Sequence, residues 1–114
     1  MVKIKQLDLI IYMKEYIAMK APGLLEMLNT ITRAKTGKNA LELFLSSPTT
    51  LYKILSEHYM SPEAALFAMA NLFIRPLVLK LGKLELEDAL LKAATEDDNK
   101  FKEMLKSLGV EIKD

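Results

Sequence analysis

A catalytic histidine needs a nucleophile, a substrate or an orienting carboxylate within reach. The chain holds one histidine, His58. Ser56 and Glu57 precede it, but consecutive residues on a helix point about 100° apart. Neither is an evident partner for the imidazole, so His58 is expected at a surface or helix end. Cysteine is absent, which excludes disulfides, thiolate zinc sites and cysteine nucleophiles together. No second histidine and no calcium-loop spacing of oxygen ligands occurs either, so no metal site is expected. Glu96, Asp97 and Asp98 are adjacent acids, yet a helix start explains them through attraction to its positive end. The four glycines, at positions 23, 37, 82 and 109, are too widely spaced to cradle a phosphate. Neither a catalytic activity nor a cofactor is expected.

Charge is balanced overall, with a formal net charge of +1, but it is unevenly distributed. Positions 33–83 carry seven basic residues against three acidic ones, whereas positions 85–98 carry six acids and one lysine. If nucleic acid is bound, the footprint is the basic turn of Arg33, Lys35 and Lys38 together with Lys53. The last two helices have a helix–turn–helix cadence, but the reading helix would begin Glu96-Asp97-Asp98 and repel phosphates. Nucleic acid is therefore the disfavoured partner. Arg75 stands in the most apolar stretch of the chain, with Asn71 one turn earlier on the same face. A charge there must pair, reach solvent along its stem or line a site. A salt bridge to a neighbouring helix is the favoured reading, and a polar specificity or anion site at Asn71 and Arg75 is the sharper one.

These residues must be positioned by helices, because no internal segment alternates apolar and polar residues for long enough to make a strand. The chain has 114 residues, 51% apolar and 27% charged, which suits a single helical domain over residues 1–114. Helices are expected over residues 4–19, 23–34, 40–45, 48–59, 62–81, 85–94 and 96–108. Pro22, Gly37, Gly82 and Gly109 mark stops. Ser47-Pro48 and Ser61-Pro62 mark starts, each a hydroxyl cap followed by a residue that lacks an N–H to satisfy. The stretch 62–81 is apolar on nearly all sides and must be buried on nearly all sides. Pro76 should kink it near residues 74–76. Its interruption by Asn71, Arg75, Pro76 and Lys80 argues against a membrane span. Asp8 likewise interrupts the N-terminal apolar run and argues against a secretory signal.

The expected fold is all-α, a compact orthogonal bundle of six or seven short helices around a central, Pro-kinked apolar helix. Two helices apolar on most sides exceed what the others can cover, and seven methionines add adaptable apolar surface. The expected function is therefore a cytoplasmic protein–protein interaction or assembly module, with a homo-oligomer as the first partner. The expected interface is Leu9, Tyr12, Met13 and Tyr16 on the first helix with Phe73 and Leu77 on the central one.

Overall fold

Proline and glycine divide the chain into helices that match the expected ones closely. The computed structural model describes residues 3–112. It contains α1 (Gln6–Lys20), α2 (Leu24–Thr36), α3 (Ala40–Ser46), α4 (Pro48–Tyr59), α5 (Pro62–Leu81), α6 (Glu87–Glu96) and α7 (Asp98–Ser107), with a 3-10 turn at Leu84–Leu86. The fold is an all-α helical bundle. Its radius of gyration is 12.9 Å, close to the roughly 13 Å of a compact chain of this length.

Most boundaries have a local cause. Gly37 ends α2 in the left-handed region at φ 80°, where a side chain is disfavoured. Asn39 opens α3 with a reciprocal box: its side chain accepts from the Glu42 N–H at 2.9 Å, and Glu42 accepts from the Asn39 N–H. Ser61 caps α5 as expected, accepting from the Ala64 N–H at 3.2 Å. Ser47 does not cap α4 in the same way. Its hydroxyl instead donates to Asp98 Oδ2 at 2.7 Å, and Asp98 Oδ1 accepts the free Thr49 N–H at 2.9 Å. A carboxylate from the start of α7 thus caps a helix 49 residues earlier in the chain. Asp97, its neighbour, caps α7 itself through the Lys100 N–H.

The central helix is irregular just before Pro76, next to the position where the sequence places a kink. Met69–Ile74 widens into a π turn, and α-helical geometry resumes at Arg75. Pro76 cannot donate to the carbonyl four residues back, and the wider turn accommodates that loss inside a continuous rod. The Arg75 N–H reaches the Ala70 carbonyl, five residues back. Asn71 adds a side-chain donor to the Phe67 carbonyl at 2.9 Å.

The core lies where α1, α3, α4, α5, α6 and α7 converge. Phe44, Phe73 and Phe101, each fully buried, pack at ring-centroid distances of 5.3 and 5.2 Å. Such aromatic pairs add about 0.5–1.5 kcal/mol beyond their area burial. Val110 and Glu111 are extended. Ile4–Lys5 and Val110–Glu111 form a two-residue parallel ladder, registering Ile4 with Val110 and Lys5 with Glu111. Val110 is buried beside it. Among the described residues these are the only strands.

Candidate functional site

Alanine has a small side chain, and where it alternates with large residues a helix carries both recesses and projections. On α5, Ala64, Phe67 and Ala68 line a groove of about 520 Å³. Lys20 and Ala21 at the end of α1 and Tyr59 at the end of α4 complete the lining, with Asn71 and Leu72. Phe67 is 71% exposed, although it is among the largest apolar side chains in the protein. Met60, which follows α4, is 91% exposed and takes a positive φ of 55°.

The expected interface is largely inside the molecule. Leu9, Met13, Phe73 and Leu77 are fully buried, so they cannot meet a partner. A regular apolar stripe such as Leu9-Met13-Ile17 marks the face that packs on the rest of the chain. Tyr12 and Tyr16 are half-buried. Lys80 Nζ lies 5.5 Å from the Tyr12 ring centroid, and Lys20 Nζ lies 5.7 Å from that of Tyr16. The apolar residues of α1 that do face outward are Leu7, Ile11 and Met19. Phe67 carried a sequence signal that was not used: Glu63 and Asn71, one turn before and after it, are polar. The corresponding neighbours of Phe73 are Met69 and Leu77, both apolar.

Arg75 pairs with Glu87 of α6. Its Nη2 donates to Glu87 Oε1 at 3.0 Å, and its Nε donates to Oε2. This two-pronged contact holds the guanidinium pKa above its ordinary value, first through the hydrogen bond and then through the carboxylate charge. The anion site expected at Asn71 and Arg75 does not form, because Glu87 already occupies the fork and Asn71 is bonded to the Phe67 carbonyl.

The basic turn is partly neutralised. Lys35 Nζ is 3.3 Å from Glu57 Oε2, and Lys38 Nζ donates to Ser46 Oγ at 3.2 Å. Arg33 and Lys53 are exposed, and Lys53 sits one turn before Glu57. The Lys35–Glu57 contact therefore sets a carboxylate against one of the four cations. His58 is exposed, its ring edge-on to Tyr59 at 5.1 Å. Ser56 donates its hydroxyl to the Tyr52 carbonyl at 2.9 Å. Among the described residues, no three His, Asp or Glu side chains are grouped to hold a metal ion.

Three further grooves are present, one of about 370 Å³ lined by Thr36, Lys38, Leu43, Ser46, Ser47, Thr50 and Lys102. Another of about 610 Å³ lies between the parallel ladder and the start of α3, lined by Lys5, Leu7, Ile10, Asn39, Glu42 and Ile112 among others. A third of about 370 Å³ mixes Lys3, Asp8, Glu15 and Lys80 with Ile11 and Tyr12. The helix Pro62–Leu81 is apolar and long enough, by length and composition alone, to cross a membrane. Here α1, α4 and α6 pack on it, but only 44% of its apolar stretch is buried, short of the near-complete burial expected from the sequence, and Leu66, Phe67 and Leu79 stay exposed. No family model matches the chain, and no curated protein or solved structure matches it.

Proposed function

We propose that this protein is a small cytoplasmic assembly module that associates with itself and has no catalytic role of its own. The observation that carries the reading is Phe67, a large aromatic side chain left 71% exposed in the lining of an apolar groove. Isolated apolar residues on a surface are ordinary, but an apolar recess lined by an exposed aromatic is the form taken by association sites. Burying Phe67 would remove apolar area from water at about 25 cal/mol per Å². His58 stands exposed beside the Tyr59 ring and Glu87 holds Arg75, which supports reading neither as a catalytic group.

Sedimentation velocity from low to high micromolar concentration tests the reading. The expected result is a concentration-dependent shift from monomer to a larger species. A clean monomer across the whole range removes the proposal. Phosphate-backbone binding through Arg33, Lys35, Lys38 and Lys53 is the competing reading. It has less support, because Glu57 offsets one of four cations and affinity for nucleic acid grows with the number of phosphates neutralised. Salt-sensitive retention of DNA or RNA, abolished when all four become alanine, would reverse that preference.

A further inference from the structure

Resting on the self-association reading, we propose that the second copy of the chain docks on the Phe67 groove about a two-fold axis passing close to Phe67. Each Phe67 enters the recess above Ala64 and Ala68 of the other copy, and each Glu63 faces Lys20 of the partner subunit. The projection and the recess lie on the same helix face, within one turn of each other. A surface that carries both can be complementary to its own rotated copy, which is the requirement for a closed two-fold dimer.

The charges obey the same symmetry. Lys80 lies over Tyr12, and Lys20, eight residues after Tyr12, lines the groove with Asn71 and Leu72, so α1 runs antiparallel to α5. That register sets Lys20 at the level of Asn71. Glu63 precedes Phe67 by four residues and Asn71 follows it by four, each about 6 Å along the axis. A two-fold axis at Phe67 exchanges these two levels, so an acidic group meets a basic group on both sides. Glu63 is exposed, and only its Oε2 is engaged, accepting from the Ser61 hydroxyl at 3.1 Å. Ala64 and Ala68 allow the two α5 helices to approach closely at the axis.

The test uses the whole chain and measures the dimer dissociation constant by sedimentation equilibrium, with circular dichroism confirming that each variant keeps its helix content. Phe67→Ala should weaken the dimer at least about a hundredfold, since two aromatic anchors are lost per dimer. Glu63→Lys and Lys20→Glu should each weaken it roughly tenfold, because each reversal spoils two rim contacts. The double variant carrying both reversals should return close to the original affinity. A wild-type dimer indifferent to Phe67→Ala overturns this geometry and leaves self-association standing. Loss with both single reversals but no recovery in the double variant overturns the two-fold register. A wild-type chain that stays monomeric overturns both the geometry and the reading beneath it.

Discussion

Asp98 gives the most direct check on how the bundle is held together. Its carboxylate accepts from the Ser47 hydroxyl at 2.7 Å and from the Thr49 N–H at 2.9 Å, tying the start of α7 to the start of α4. Asp98→Ala removes both acceptors at once. Losing an N-terminal cap costs about 0.5–2 kcal/mol, and a hydrogen bond to a charged group contributes about 1.5–3 kcal/mol. The site is only partly buried, so water replaces some of the loss and a total near 2 kcal/mol is expected. For 114 residues the unfolding entropy is roughly 0.24 kcal/mol/K, and the midpoint should fall by about 8 °C. Asp98→Asn retains one acceptor oxygen and should lose about half as much. Urea unfolding of the two variants beside wild type, analysed by linear extrapolation, measures these differences. Stability of Asp98→Ala within about 0.5 kcal/mol of wild type would refute the cross-chain cap as a structural tie.

Two further substitutions separate core from surface. Phe73→Ala should cost about 3–5 kcal/mol in chemical denaturation, because it opens a cavity between Phe44 and the rest of the core; a loss below about 1 kcal/mol would contradict its burial. Met60→Gly should stabilise the fold by about 0.5–1 kcal/mol, since φ 55° suits glycine and a 91% exposed side chain has little packing to lose. Thermal unfolding of the monomer at low concentration shows whether the sign is right.

Much of the helical framework was legible in the residues because it rests on local chemistry. Pro48 and Pro62 start helices exactly where a missing N–H is harmless, and Gly37 and Gly82 end them where left-handed backbone is needed. The terminal ladder was hidden, because two-residue strands carry no periodicity and depend on residues far apart in the chain. Pro76 revealed a missing donor and so the place of the irregularity, but not its form, a π turn over Met69–Ile74. The burial of Leu9, Met13, Phe73 and Leu77 has a related cause. Periodic apolar spacing reports the buried face, so it led to Leu9, Met13, Phe73 and Leu77, while Phe67 broke the period.

The pairing of Ile4 with Val110 has a consequence for the order of folding. A contact that closes almost the whole chain carries a loop-closure cost without local interactions to offset it, whereas each helix and its neighbours can form over short separations. During synthesis the second strand emerges only after every helix has been made. The ladder is therefore a late clasp on a bundle already assembled, and its amides should be the first of the regular structure to exchange with solvent.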